Sequence, residues 1–428
     1  MKILISEQQL RRIITEQSSG SLIPSLGYKI IKDIEVKKLK ELYSEFNNVI
    51  KLISKFIIKK NLILYGGLVI NLLLPKKHRF YKEYTINDYD CYSKNPVEDA
   101  YELANLIKKS GYKYIKIKKA IHNNTYKISV FGKQFFDITF IESDIYDILL
   151  NYIKNSQKSL KYYKDKYKII PIEIVKQNLY FELARPIQSG FRWEKLYNRL
   201  ELINKFYPTE KSVEILKCIP IKKEYSSIVK VLLEYIKSNK IPIIDSYSIK
   251  IYNDCSYCCY RLTENSIYIT ILVKNIIESY NDIKNILNIN KSEYDIKVLR
   301  KGINSYNLYK EYNIKIINKS TKQHFNIVRI IEIKNQCFST TVKNNYILGS
   351  IDTCLYFLYY NYIKNKIYYN NNSEADENIY YINQYENNII SNVKNNINER
   401  LKKNCFGDID YEDELKNIWN KRLTLEYI

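Results

Sequence analysis

The chain has 428 residues, 46% of them hydrophobic, which is enough to bury the cores of two or three domains. Its 68 Lys and Arg against 46 Asp and Glu give a formal net charge of +22. A chain this basic is better suited to a nucleic acid or an anionic membrane than to a small neutral molecule. An excess of surface lysines that only keeps the protein soluble would give the same net charge. The eight cysteines are scattered, which excludes a disulfide framework and predicts reduced thiols.

The first segments predict an appendage followed by a helix and a buried strand. Residues 1–25 combine a short capped helix with a Ser-rich linker. Apolar residues recur at helical spacing over 36–58. The stretch LILYGG then predicts a strand that ends in Gly66 and Gly67, and a short helix follows up to Pro75. At 62–74 this apolar region is too short and too interrupted to span a membrane, so no membrane segment is expected.

A second strand is predicted at 88–92, followed by a helix that begins at Pro96 and ends at Gly111. Three strands come next, at 112–120, 125–131 and 134–141, joined by short turns. Helices alternating with strands, and then an antiparallel run, predict an α+β fold with a mixed sheet. We expect this domain to cover 26–206.

Residues 207–428 are expected to form a C-terminal α+β domain without a catalytic spacing of its own. Within it, the Asn-rich segment 366–404 predicts a long polar loop, and 407–423 predicts a final helix. Cys255, Cys258 and Cys259 lack a second ligand pair for zinc, so small buried side chains are the better interpretation.

Three aspartates indicate a metal site. Asp88 and Asp90 are two residues apart in a strand, so both carboxylates point to one face. Asp137 lies in the apolar strand QFFDITF, where a charge is costly unless it is paired or binds a cation. Three such carboxylates would hold Mg²⁺ or Mn²⁺, and Gly66 and Gly67 would let the backbone approach a phosphate at a helix N-terminus.

This order of segments resembles the DNA polymerase β-like nucleotidyltransferase superfamily. With NLYFELARPIQSGFRWEKLYNRLELINKFYP at 178–208, the chain is similar to the poly(A) polymerase catalytic subunits of poxviruses and other large cytoplasmic DNA viruses. The resemblance implies that Asp88, Asp90 and Asp137 bind two divalent ions and that Gly66 and Gly67 contact ATP. It also implies a second, degenerate nucleotidyltransferase-like unit, although 207–428 show no GG followed by DxD.

The segment 190–206 predicts an amphipathic helix whose basic stripe contains Arg192, Lys195 and Arg199. Arg185 precedes it. A solvated helix face would look the same, but the resemblance implies a helix near the triphosphate, where Arg suits phosphate oxygens. The core stripe of the helix contains Trp193, Leu196, Tyr197, Leu200 and Ile203.

The sequence therefore predicts template-independent transfer of AMP from ATP to RNA 3′ ends. A CCA-adding type of nucleotidyltransferase and a catalytically silent RNA-binding subunit on the same fold are the alternatives. Expected partners are the RNA 3′ end and ATP, with a homodimer or a separate processivity subunit. The resemblance implies a location in the viral factory of the host cytoplasm and in the virion.

Overall fold

The structure is a computed structural model that describes residues 25–81, 84–120, 124–156, 167–209, 223–253, 268–287, 294–301, 309–390, 401–408 and 426–427. The predicted helix in the appendage, the cysteines at 255–259 and the predicted final helix from residue 409 onward lie outside these residues. Among the described helices, none combines the length and the apolar composition needed to cross a membrane.

The first half of the chain alternates helices and strands as predicted. The helix predicted from residue 36 begins earlier, at Ser25. In chain order the elements are α1 (Ser25–Lys59), β1 (Ile63–Tyr65), α2 (Gly66–Leu73), β2 (Tyr89–Ser93), α3 (Pro96–Lys109), β3 (Ile115–Lys119), β4 (Thr125–Val130), β5 (Lys133–Phe140), α4 (Ser143–Ser156), β6 (Lys168–Ile169), α5 (Ile172–Leu183), α6 (Pro186–Ser189) and α7 (Trp193–Phe206).

The first sheet has the strand order β15-β3-β4-β5-β2-β1-β6, where β15 is Glu426–Tyr427. β2 is antiparallel to β1 and parallel to β5. β1 therefore ends, and β2 begins, at the same edge of the sheet. Val49 and Ile53 of α1 and Leu103 of α3 are fully buried in the core of this unit. The apolar faces of these helices pack on the sheet and hold it in place. The sheet in turn positions the residues at the edge where β1 ends and β2 begins.

The second half of the chain contains a second mixed sheet. Its elements are α8 (Lys223–Ser238), β7 (Ile243–Ile244), α9 (Ser246–Tyr252), β8 (Ile269–Val273), α10 (Ile276–Leu287), β9 (Tyr294–Lys301), β10 (Lys310–Asn318), β11 (His324–Glu332), β12 (Phe338–Lys343), β13 (Tyr346–Gly349), α11 (Ile351–Ile363), α12 (Asn372–Asn383) and β14 (Cys405–Phe406).

The two sheets repeat one topology. The order β9-β10-β11-β8-β7-β13 in the second sheet corresponds to β3-β4-β5-β2-β1-β6 in the first. The relative strand directions also agree. Counted along these two orders, the first, second and fourth neighbouring pairs are antiparallel in both sheets, and the third and fifth pairs are parallel. The second unit implied by the resemblance is thus present in the topology, and the α+β fold is confirmed.

The two units share packing through α11. Each residue of α11 is buried, and the helix packs on α5 of the first half. Tyr359 of α11 stacks on Tyr180 of α5 with ring centroids 5.6 Å apart. The division between 206 and 207 remains a prediction, because this helix joins the cores of both halves.

The prediction of a long polar loop at 366–404 is wrong for its described part. The backbone continues α11 as a π-helix at Lys364–Tyr368, forms α12 and ends in a second π-helix at Gln384–Ile389. Ile382 and Tyr385 are fully buried. Apolar residues at helical spacing among the asparagines therefore outweigh the polar composition.

The cysteine prediction is also wrong for one pair. Cys337 and Cys405 form a disulfide across 68 residues of sequence. The pairing of Phe338 in β12 with Phe406 in β14 brings the two cysteine Cα atoms to 5.3 Å. Cys91 and Cys354 are buried free thiols, which agrees with the prediction of reduced cysteines.

Candidate active site

The paired glycines form the turn between β1 and α2. Neighbouring side chains approach both positions too closely for a Cβ atom. Gly66 has a φ of +74°, and a Cβ there would collide with the Asp90 carboxylate. A Cβ at Gly67 would lie 2.7 Å from Tyr81 Oη and 3.1 Å from Arg199 Nη1. The turn therefore lies directly against an acidic residue on one side and a cationic one on the other.

The three predicted aspartates meet at this edge of the sheet. Asp90 of β2 is the register partner of Asp137 of β5. Asp88 lies one residue before β2 and is exposed, whereas Asp137 is buried. The parallel pairing of β2 with β5, which sequence spacing alone does not specify, brings the distant Asp137 to the other two.

The carboxylates raise one another's pKa. Burial, followed by the charges of Asp137 and Asp88, raises the pKa of Asp90 to about 7. Burial and the charge of Asp137 raise the pKa of Asp88, while Lys133, Lys127 and Lys195 act in the opposite direction. Like charges held this close are stabilised by a cation between them, and oxygen donors suit Mg²⁺ or Mn²⁺. The donor set therefore fits such an ion.

Asp137 has two protein partners on its own hairpin. The Lys127 ammonium donates to Asp137 Oδ2, and Gln134 Nε2 donates to Oδ1 at 2.7 Å. Within the described ranges, no group of three or more Asp, Glu, His or Cys side chains is arranged to hold a metal ion, so the aspartates fit such an ion in their donor chemistry and not in their present spacing. Lys127 thus supplies, in this structure, a positive charge directly at the third aspartate.

Arg199 is buried beneath the glycine turn and does not lie on an exposed stripe as predicted. Its Nη2 donates to Tyr81 Oη at 3.3 Å, and its guanidinium carbon lies 4.4 Å from the centre of the Phe80 ring. Asn71 Oδ1 accepts from the Tyr81 N–H at 2.9 Å and so fixes the loop that covers the guanidinium. Burial lowers the pKa of Arg199, and the charge of Asp90 partly offsets this.

The structure separates the other predicted cations into two groups. Lys195 is exposed on α7 and is close enough to lower the pKa of Asp88. Arg185 and Arg192 both contact Glu182, at 2.7 and 3.3 Å. Both arginines are therefore paired with a carboxylate of the protein. The helical spacing of 190–206 did not reveal this pairing.

Sequence reasoning missed Lys127, Lys133 and Gln134. A regular hairpin closed by Val130 and Lys133 would place Lys127 opposite Phe136. A register shift between Ile128 and Ser129 places it opposite Asp137 instead. The sequence offered one indication, a lysine near the middle of a strand that pairs with the strand carrying Asp137. The bulge that aligns the two residues has no sequence pattern of its own.

Residues 51–189 match the family model described as poly(A) polymerase catalytic subunit. The chain is 30% identical over 213 residues to a protein assigned as a poly(A) polymerase catalytic subunit of African swine fever virus (isolate Pig/Kenya/KEN-50/1950), covering 48% of this chain and 42% of that protein. A protein assigned the same name in Acanthamoeba polyphaga mimivirus is 29% identical over 223 residues, covering 50% and 36%. The chain thus spans less than half the length of these curated relatives.

The fold is similar to the crystal structure of the Megavirus polyadenylate synthase. The TM-score is 0.69 with 18% identity, over 94% of this chain and 84% of that one. The resemblance drawn from Gly66-Gly67, Asp88-Tyr89-Asp90 and Asp137 is confirmed by the family match, whose boundaries contain all of these residues.

Proposed function

We propose that the protein is a template-independent poly(A) polymerase that transfers AMP from ATP to the 3′-hydroxyl of RNA and releases pyrophosphate. The observation that carries this proposal is the pairing of Asp90 with Asp137 beside a glycine turn, with Asp88 on the same edge. The family match over 51–189 supports the choice of reaction. We assign 26–206 as the catalytic domain and 207–428 as the C-terminal domain, with 1–25 as an appendage.

Asp88, Asp90 and Asp137 would hold the Mg²⁺ or Mn²⁺ ions. Such ions lower the pKa of an attacking hydroxyl and neutralise the transferred phosphoryl group. The protein's own part is to present two register-paired carboxylates at one edge and a third from the residue before β2. Lys127 orients Asp137 by a direct contact.

The triphosphate would lie between the glycine turn and α7. Gly66 and Gly67 let the backbone approach the phosphates, and Arg199 and Lys195 supply positive charge on the α7 side. Arg192 lies near Arg199, since its charge lowers the Arg199 pKa. Arg185 shares Glu182 with Arg192, so we assign both to the outer part of the nucleotide site.

The proposed partners are ATP and the RNA 3′ end, and the net charge of +22 supports a polyanion. The active species would be a monomer, a homodimer or a complex with a separate processivity subunit, and mass measurement of the active fraction separates the three. The viral relatives support a place in the viral factory of the host cytoplasm and in the virion.

The test is incubation of a short RNA primer with each of the four nucleoside triphosphates separately, in Mg²⁺ and in Mn²⁺, with products resolved on a gel. We expect extension with ATP in a homopolymeric ladder and weaker use of the other nucleotides. An Asp90→Asn protein purified in the same way controls for contaminating polymerases.

Two results would replace the proposal. Addition of a short CCA end to tRNA, followed by arrest, would indicate a CCA-adding enzyme. Tight RNA binding without addition of any nucleotide would indicate a silent RNA-binding subunit.

A further inference from the structure

Two exposed aromatic rings lie at the sheet edge that carries the aspartates. Tyr114 immediately precedes β3, and Phe131 immediately follows β4. Because Tyr89 pairs with Phe136, the start of β5 and the β4–β5 turn extend beyond β2 on the side where Asp88 lies. The two rings are therefore on the active-site edge of the sheet, on the flank formed by its three-stranded antiparallel part.

The rings are held out of the core by an unfavourable backbone. Tyr114 is 70% exposed and Phe131 is 51% exposed. Both residues have a positive φ, 57° and 49°, which bulky L-residues rarely adopt. The Phe131 N–H donates to the Tyr114 carbonyl at 3.2 Å, and the ring centroids are 5.5 Å apart with planes inclined at 56°. Phe131 and Gly132 form the two-residue turn between β4 and β5, which requires a positive φ at both positions, so a bulky ring at Phe131 is there at the expense of a residue such as asparagine that adopts this φ more readily.

The chain segment that carries this pair is strongly basic, although Glu45 of α1 contacts Tyr112 and Glu426 of β15 pairs with Ile117 of β3. Residues 103–136 contain eight lysines and neither Asp nor Glu. Lys108, Lys109, Lys113 and Lys133 are exposed. Lys133 is also close enough to Asp88 to lower its pKa, so the positive surface continues from the ring pair to the aspartates. A surface with two exposed rings and an excess of positive charge complements a single-stranded nucleic acid.

We infer that Tyr114 and Phe131 form a stacking platform for bases of the single-stranded RNA substrate, upstream of its 3′ end. Four strand steps separate Asp137 from Lys133, and Phe131 lies in the turn that Val130 and Lys133 close, so the rings are roughly 15 Å from Asp137 at about 3.3 Å per residue. A few nucleotides bridge that span, so the 3′ end can lie at the aspartates while upstream bases stack on the rings. Exposed lysines would contact the phosphates. The position along the RNA rests on the proposed function, whereas the binding itself does not.

The experiment measures binding of a labelled oligo(A) of about 15 nucleotides, a length that covers the active site and the platform. Binding is followed by fluorescence anisotropy without ATP, using the full chain and the variants Tyr114→Gly, Phe131→Gly and the double variant. Glycine adopts a positive φ freely, so these changes remove the ring without adding strain. We expect about tenfold weaker binding for each single variant, with an unchanged or higher Tm.

Two further variants separate stacking from other roles. Tyr114→Phe keeps a ring and should keep RNA affinity. Tyr369→Ala removes an exposed aromatic from the other half of the molecule and should also bind normally. A primer of two nucleotides, too short to reach the rings, should be extended equally by the wild type and the double variant.

The outcomes distinguish this inference from the proposed function. Weaker RNA binding in the glycine variants of a protein that adds no nucleotide would keep the platform and remove the polymerase. Normal binding in a protein that does add AMP would overturn the platform. A change of oligomeric mass in the double variant at unchanged RNA affinity would also overturn it, by showing that the pair is a contact between copies.

Discussion

The two sheets share a strand order but differ at matching register positions. In the first sheet, Asp90 of β2 pairs with Asp137 of β5; in the second, Thr270 of β8 pairs with Arg329 of β11. Asp245 follows β7 with a φ of +71°, where Gly66 follows β1 with +74°. The backbone of the turn is thus retained in the second unit, while its chemistry is changed.

The second unit neutralises its charges internally. Arg329 Nη1 lies 3.8 Å from Asp245 Oδ2, which also accepts from Thr270 Oγ1 at 3.2 Å. A fixed guanidinium therefore stands where the first unit has a second carboxylate. The first site is anionic and suited to a bound cation, whereas the second pairs its carboxylate with a guanidinium of the protein.

The largest expected effect is a loss of activity, which should follow substitutions in the first sheet and not in the second. Asp90→Asn should reduce RNA tailing by at least ~10²-fold, because a metal-binding charge is lost where charge develops in the transition state. Asp88→Ala and Asp137→Ala should do the same, with unfolding temperatures close to wild type. Primer-extension rates and thermal melts measure both quantities.

Thr270→Ala is the matched control, at the same register position of the second sheet. It should retain tailing. An Asp137→Ala enzyme with near-normal rates would remove Asp137 from the site, and a Thr270→Ala enzyme without activity would mean that the second unit is not silent.

The next effect concerns stability. Arg329→Met leaves the buried Asp245 without its cationic partner and should lower the free energy of unfolding by about 3 kcal/mol. Arg329→Met combined with Asp245→Asn should recover part of the loss, because no charge is then left unpaired. Urea denaturation measures each value. If Arg329→Met and the double variant were equally stable, the unpaired Asp245 charge would not cause the loss. The ion pair would then not stabilise the second unit.

A smaller effect is expected on nucleotide binding. Lys195→Ala should raise the KM for ATP by roughly tenfold without changing the Tm, because an exposed lysine near Asp88 contributes charge and little packing. Lys205→Ala, exposed further along α7, is the control and should have wild-type kinetics. Arg199→Ala should change both KM and Tm, since Arg199 is buried. Unchanged KM in Lys195→Ala would place the triphosphate elsewhere.

The last effect is a pH dependence of the metal-free protein. The pKa of Asp90 is raised from the ordinary 3.8 to about 7 in the folded state. Its contribution to stability is therefore fully present below about pH 4 and is lost as the pH rises through about 7. Asp90→Asn should flatten this part of the profile, and added Mg²⁺ should do so in the wild type. A profile identical in the variant would contradict the raised pKa.

Local pattern was enough to predict the elements from α1 to β5, the helix α7 and the clustering of the three aspartates, whereas α4, β6 and α5 were not predicted. GG after a buried strand requires a tight turn, and alternating apolar residues define the strands on either side. The parallel pairing of β2 with β5 was not specified by spacing, yet an isolated Asp in an apolar strand already indicated a partner. The resemblance then supplied the role.

The parts that were missed depend on long-range contacts. Arg199 has the spacing of an exposed stripe, and only the loop carrying Phe80 and Tyr81 buries it. The ion pair of Lys127 with Asp137 depends on a bulge. The repeat is invisible in sequence because the second unit conserves strand directions rather than residues, with Thr270 and Arg329 in place of aspartates.

The pairing of β15 with β3 has a consequence for the order of folding. Glu426 pairs with Ile117, so the outer strand of the first sheet is covered by residues synthesised long after it. During translation β3 presents an open edge to other chains until that late segment arrives. Chaperones that bind extended strands would therefore act on this edge first, and removing 426–427 should increase aggregation during synthesis more than it lowers the stability of the finished protein.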